Sequence, residues 1–348
     1  MSLLEKLGIK HPILLAPMAG VSTPELAAEV SNQCALGSLG LGASSVQSAR
    51  EQILKTQELT DQPFQVNFFC HKTEDLDDTV AQAWIDQFKD KFAQFGIEPP
   101  KTLKCIYPSF RDNDDFLNLV LETRPKAVSF HFGIPHSHQV QALKEAGIIT
   151  MVSATNLAEA RAIEAAGIDV LIAQGIEAGG HRGIFSTKFD ASVKTSNLIK
   201  LIKQYCSLPI VAAGGIMDGY QARQMLEFGA EAVQLGTAFV QCKTSNANEA
   251  YRKALLSKPL TQVTASISGR PARGIINHWH TDIDTPDRLD VPAYPYTYDL
   301  AKQLHAAAVQ HGDHGYGAFW AGSNAAQTRE MEASDLVNQL VLEIKHRE

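Results

Sequence analysis

Three phrases in this chain repeat one device: Glu145-Ala146-Gly147-Ile148, Ala165-Ala166-Gly167-Ile168-Asp169 and Phe228-Gly229-Ala230-Glu231-Ala232. In each, a helix ends on small residues, a glycine turns the chain, and an apolar strand begins. Strands buried on both faces read as continuous apolar runs, and eight such runs occur, at 13–16, 37–40, 64–68, 127–131, 149–153, 169–173, 209–213 and 232–235. Helical patterns lie between most of them, as at 23–32, 156–166 and 219–228. Eight strands alternating with helices predict an α/β fold, a TIM (β/α)8 barrel. The alternative, a doubly wound open sheet, should carry its glycine fingerprint at the first strand, where Pro17-Met18-Ala19-Gly20 stands instead.

Two segments break the rhythm. Residues 71–124 are too long for one crossover and predict two helices with a short strand near Leu103-Lys104-Cys105-Ile106-Tyr107. After the eighth strand, 245–308 carries Pro, His and Tyr in no barrel pattern and reads as a cap beside the barrel mouth. The expected division is therefore a barrel from 1–244 and 309–348, with a cap or substrate region at 245–308.

The whole has 348 residues, 45 % of them hydrophobic, which is ample for one large core. A formal charge of −7, with Lys and Arg scattered, offers no basic field to nucleic acid. No apolar run reaches the roughly 20 residues of a membrane helix, and the first residues lack the apolar core of a signal peptide, so a cytoplasmic location is expected. Five widely spaced cysteines, without a CxxC pair, read as reduced structural thiols.

In a barrel, the C-terminal ends of the strands converge on one mouth. Here those ends are Pro17 and Met18, Asn67, His131, Ser153, Gln174, Gly214 and Gly215, and Gly236 and Thr237. Amides and an imidazole face one another there, and the lack of a carboxylate pair argues against glycosidase chemistry. Glycines after the seventh and eighth strands suit a phosphate group held by backbone N–H. The sixth strand runs into Gln174-Gly175-Ile176-Glu177-Ala178-Gly179-Gly180-His181-Arg182-Gly183, which sets a histidine in a loop whose backbone can approach a ligand closely. The pairs His136/His138 and His278/His280 have no strand-end carboxylate beside them, and no metal is expected. Tyr298 and Lys302 share a helical face, whereas Pro292 and Pro295 keep Tyr294 out of a regular helix. Two phenols and an ammonium over a pocket suit an anion.

Taken together, Ala16-Pro17-Met18-Ala19-Gly20, Asn67, the 174–183 loop, Ala213-Gly214-Gly215-Ile216 and Gln234-Leu235-Gly236-Thr237 resemble the FMN-dependent nitronate monooxygenases. His131, Tyr294, Tyr298 and Lys302 are similar to the class I enzymes of that family. The resemblance implies noncovalent FMN, its phosphate at Gly179, Gly180, Gly215, Gly236 and Thr237, with Gly214 and Gln234 in the same cradle. Asn67 and Gln174 would bond the flavin ring, and the backbone at Pro17 and Met18 would pass its reactive nitrogen. It implies oxidation of alkyl nitronates such as propionate 3-nitronate with O2, giving a carbonyl compound and nitrite. His181 would act on the nitro group or as a base, and His131, Tyr294, Tyr298 and Lys302 would hold the other end of the substrate. The protein would act as a monomer or homodimer. An NAD(P)H-dependent enoyl-thioester or quinone reductase on the same barrel, a non-catalytic flavin-binding protein and a metallohydrolase stand as alternatives.

Overall fold

A computed structural model of the chain describes residues 1–346, so the last two residues of the expected barrel segment lie outside the described residues. In chain order the strands are β1 (Ile13–Leu15), β2 (Gly37–Gly40), β3 (Phe64–Phe69), β4 (Ala127–His131), β5 (Ile149–Ala154), β6 (Val170–Gln174), β7 (Gly180–His181), β8 (Ile210–Ala213), β9 (Ala232–Leu235), β10 (Thr261–Thr264) and β11 (Ala272–Ile275). Eight of them form one parallel sheet in the order β1-β9-β8-β6-β5-β4-β3-β2. A parallel bridge between Leu14 and Leu36 brings β2 back to β1 and closes the barrel.

The barrel strands are buried almost throughout because both faces are covered. Leu14, Met151, Val170, Ile172, Val211 and Ala232 fill the interior, and the short helix Leu3–Leu7 stops the N-terminal end with Leu3 and Leu7. Outside, helices return each strand to the next. Their starts are written locally: the side chains of Thr23, Asn156 and Asp218 cap the helices Pro24–Asn32, Leu157–Ala165 and Gly219–Glu227. The last barrel helix, Ala333–Lys345, packs against the helices Pro24–Asn32 and Gly219–Glu227, where Glu343 accepts the Gly219 N–H at 2.7 Å.

The first irregular segment differs from its sequence expectation. It forms the helices Asp78–Gln87, Lys89–Ala93 and Asp114–Thr123, and no strand forms near Leu103 to Tyr107. Pro99, Pro100 and Pro108 flank that stretch and limit how far a strand could extend, and Asp299 rather than a neighbouring strand takes the Lys104 N–H at 2.9 Å. A second core joins Trp84, Phe88 and Phe92 of this segment to Ile267, Trp279, Leu300 and Leu304. Two excursions from the barrel, far apart in sequence, thus pack on each other above its mouth. The helix Tyr296–Gln310 supplies much of that contact and runs across the expected boundary at 308.

All five cysteines are free. Among the described residues, no helix is long and apolar enough to cross a membrane.

Candidate active site

A cavity of about 810 Å³ opens at the C-terminal ends of the barrel strands, between them and the cap. Pro17, Met18, Asn67, His131, Gln174, Gly179, Gly180, His181, Gly214, Gly215, Gln234, Gly236, Thr237, Tyr298 and Lys302 all line it. Tyr294 lies behind that lining.

The floor is largely backbone. A side chain at Gly179 would put its Cβ 2.6 Å from both Ala321 C and Gly322 N, so only glycine allows the loop after β6 to lie against the segment 321–322. Gly215 has φ of 73°, a left-handed turn that carries the chain out of β8. Asn324 Nδ2 donates to the Gly215 carbonyl at 2.6 Å, and Gly322 N–H donates to Thr237 Oγ1 at 3.0 Å. The floor therefore includes residues 321–324, which carry no strand-end signature that sequence alone would reveal. Asn67 Nδ2 donates to Ser129 Oγ and to its carbonyl at 2.9 and 3.0 Å, which fixes the amide and leaves Oδ1 without a protein partner among the described residues. Gln234 Oε1 accepts from Gln65 Nε2 at 3.5 Å, leaving its own amide N–H groups free. The Met18 N–H is taken by Ser22 Oγ at 3.0 Å.

The histidine loop is held from three sides. Its two-residue strand β7 pairs antiparallel with β11 of the cap, Ala272 opposite His181 and Arg273 opposite Gly180. From beneath, the fully buried Arg182 donates to the Gly175 carbonyl at 2.6 Å, to Gln174 Oε1 at 3.0 Å and to Asp190 at 2.8 Å. Gln174 Oε1 also accepts from Gly183 N–H at 2.7 Å, and its Nε2 donates to the His181 carbonyl at 2.9 Å. Gln174, expected to bond a ring in the cavity, thus spends most of its amide on the loop. From the side, His131 Nε2 donates to the same carbonyl at 2.9 Å, and Ser153 Oγ donates to His131 Nδ1 at 3.1 Å. Both ring nitrogens of His131 are therefore engaged within the protein.

His181 Nε2 lies 2.9 Å from Ser268 Oγ, which is itself 3.1 Å from the Arg270 carbonyl and 3.3 Å from the Arg270 N–H. A carbonyl only accepts, so all three contacts are satisfied when Ser268 donates to it and accepts from His181 Nε2–H. Nδ1 is then the nitrogen with a free lone pair. Burial lowers the His181 pKa to about 3, helped by His131 and Arg270, and burial lowers that of His131 to about 4. Both rings are neutral at neutral pH, and the proton of His181 points away from the free nitrogen.

Across the cavity, Lys302 Nζ donates to Tyr107 Oη at 2.8 Å, and the Tyr298 ring lies 6.1 Å from that of His181. Trp320 closes in at 5.2 Å from His181. Tyr107, Trp320 and Ser268 come from three distant stretches, and only the packing of the cap brings them here. Tyr294, 4 % exposed, sits 5.7 Å from His181 and 5.0 Å from His71, ring to ring, and its hydroxyl has no partner. Burial pushes the phenols of Tyr107 and Tyr298 up to about 12, so both stay protonated donors.

Lys302 is the one formally charged side chain among the described lining residues, and no carboxylate joins it, although the chain carries a net charge of −7. Elsewhere, His138 meets Asp114 at 3.5 Å and His278 meets Asp282 at 3.4 Å. Among the described residues no group of three or more potential ligands is arranged around a metal position.

The sequence profile described as nitronate monooxygenase matches residues 1–343. A nitronate monooxygenase from Pseudomonas aeruginosa is 49 % identical over 342 residues, 97 % of each chain. The solved nitroalkane oxidase from Streptomyces ansochromogenes superposes with a TM-score of 0.91 at 36 % identity, covering 99 % of this chain and 98 % of that one. The enoyl reductase domain of MlnA, from the macrolactin cluster of Bacillus amyloliquefaciens, shares the fold alone: its TM-score is 0.61 at 11 % identity, over 98 % of this chain and 95 % of that one.

Proposed function

The chain belongs to the nitronate monooxygenase family, and on that premise we propose that it oxidises alkyl nitronates with O2 to a carbonyl compound and nitrite, using FMN. The observation that carries this reading is the charge of the cavity: an acidic chain keeps every carboxylate out of the lining and places an ammonium there. Such a cavity favours an anion, and a nitronate is one.

The floor fits FMN. Gly179, Gly215 and Gly236 line the cavity beside Thr237 with no side chain of their own, which leaves bare backbone there, suited to a phosphate. The free Oδ1 of Asn67 and the free amide of Gln234 offer an acceptor and a donor to a polar ring edge. When bound, FMN would supply the electron acceptor for a carbanion-like nitronate and the means of passing electrons to O2.

The protein's own part is to bind, orient and manage protons. Lys302, with Tyr107 and Tyr298 as neutral donors, would hold the charged or polar far end of the reactant. His181, neutral and with its Nε2 proton committed to Ser268, presents Nδ1 as a base. It would take the α-proton of a neutral nitroalkane and has less to do for a nitronate, already deprotonated. His131 and Gln174 act through the His181 carbonyl, fixing the loop that carries the imidazole.

An oxygen electrode tests the proposal: purified yellow protein should take up O2 with propionate 3-nitronate and accumulate nitrite. Rapid bleaching of the flavin by NADH without oxygen, combined with no nitronate-dependent O2 uptake, would favour the reductase reading instead.

A further inference from the structure

Arg270 stands one side-chain layer behind the cavity lining, in the turn between β10 and β11. The residue is 3 % exposed. One guanidinium N–H donates to the Ile184 carbonyl at 2.9 Å, and the guanidinium carbon sits 4.5 Å from the centre of the Phe132 ring. Among the described residues no carboxylate lies within 4 Å of it. The contrast is Arg182, also fully buried, which pairs with Asp190 at 2.8 Å. A buried cation without an anion is costly, so one that is retained calls for a reason.

No group facing Arg270 forms an ion pair with it. Tyr294, His71, His131 and His181 are all neutral at neutral pH, since burial raises the phenol and lowers the three imidazoles. Arg182, on the loop beyond His181, is cancelled by Asp190. Glu159, bonded to the Thr155 hydroxyl and to the Thr155 and Phe185 N–H groups, and the exposed Glu74 offset that charge only in part, since neither reaches ion-pair distance of the guanidinium.

Phe132 links this charge to the site. Its ring is 1 % exposed, lies 5.5 Å from His181 and 4.7 Å from His131, and takes the guanidinium on its face. Its backbone has φ of 77°, a left-handed conformation that non-glycine residues adopt at a cost. The two centroid distances place the guanidinium carbon within about 10 Å of the imidazole, across buried protein rather than water.

We propose that Arg270 adds, to the exposed ammonium of Lys302, a fixed buried positive charge behind the reacting end of the cavity, and so determines specificity for nitronates over neutral nitroalkanes. The inference rests on the nitronate reading above. A reactant seated against the imidazole lies a few ångströms farther out, and unit charges roughly 10 to 14 Å apart at an effective dielectric near 20 alter an equilibrium about tenfold, whereas a neutral reactant gains nothing from the charge. Buried as it is, the charge acts with little screening by salt.

The test uses the FMN-loaded protein, with R270M removing the charge and R270K keeping it. The ratio of kcat/KM for propyl-2-nitronate to that for 2-nitropropane should fall about tenfold in R270M, through KM, and hold within about threefold in R270K. Calorimetric titration with nitrate, an unreactive planar monoanion, should show about tenfold weaker binding to R270M, while neutral nitroethane binds both forms alike. The pH at which His181 protonates should rise in R270M. Where R270M does not fold, R270Q removes the charge and keeps a donor for Ile184. Equal losses for both substrates in R270M and R270K, or unchanged nitrate affinity in R270M or R270Q, would overturn the proposal. Absence of nitronate turnover in the wild type, with nitrate binding still dependent on the Arg270 charge, would sink the functional reading and leave the charge assignment standing.

Discussion

The floor of the cavity and the wall above it are made by different means. The floor comes from the ends of β6, β8 and β9 and the segment 321–324, and it offers backbone groups and shape. The wall comes from the cap and the histidine loop, and it offers side chains: Lys302, Tyr107, Tyr298, Trp320 and His181, with Arg270 behind them. Backbone can hold a ligand without choosing its chemistry at the reacting end, whereas the wall decides charge and proton position. A cofactor suits the first and a reactant the second.

Four experiments break or sharpen that division. The largest effect is expected at Gly179→Val, which forces a Cβ against Ala321 and Gly322. The purified variant should emerge from gel filtration colourless, while wall variants stay yellow; a yellow G179V protein would remove the floor from the account of cofactor binding. Next comes acid. His71, His131 and His181 have folded pKa values lowered to about 4, 4 and 3, chiefly by burial. The unfolded chain takes up protons below about pH 6.5 that the folded wall refuses, so the stability present above pH 6.5 is lost as pH falls toward 4. The loss should be about 1.4 kcal/mol per pH unit for each histidine. Thermal melts by circular dichroism at pH 7, 6, 5 and 4.5 read this directly, and a flat profile would mean that these rings are not held neutral.

Third, His181→Asn should retain FMN and lose about a hundredfold or more in turnover of a neutral nitroalkane, with a smaller loss on the nitronate. Stopped-flow reduction without oxygen separates the two substrates, and equal losses on both would remove the base from its proposed role. The smallest effect is expected at Lys302→Met. Lys302 is exposed at the rim, so KM for a nitronate bearing a carboxylate should rise about two- to fivefold with kcat little changed, measured by oxygen uptake. A fall in kcat with KM constant would place Lys302 at the reacting end instead.

The two regions also differed in how far the sequence exposed them. The bounds of β2, β4 and β9 follow directly from short apolar runs between turn residues, and the helices Pro24–Asn32, Leu157–Ala165 and Gly219–Glu227 lie within a residue of the helical patterns at 23–32, 156–166 and 219–228. These signals are local, so they survive without knowledge of the fold. The wall is built from long-range contacts. Leu103 to Tyr107 has a strand-like composition, yet no neighbouring strand pairs with it, and its Tyr107 matters through Lys302, 195 positions away. Ser268 and Trp320 reach His181 only because the cap folds back over the mouth. His131 and Gln174 were recognisable as strand ends, but their commitment to the His181 carbonyl depends on where a loop happens to lie. The prolines that keep Tyr294 off the Tyr298 and Lys302 face are legible in the sequence, and the helix begins at Tyr296, but the packing of the Tyr294 ring against His71 is not.

The pairing of β7 with β11 ties the fate of the imidazole to that of the cap. A roof that lifted to admit or release a molecule would have to break that ladder or draw the histidine loop along with it. The imidazole and the cap over it are in this way one mechanical unit, joined by backbone rather than by side-chain contact alone.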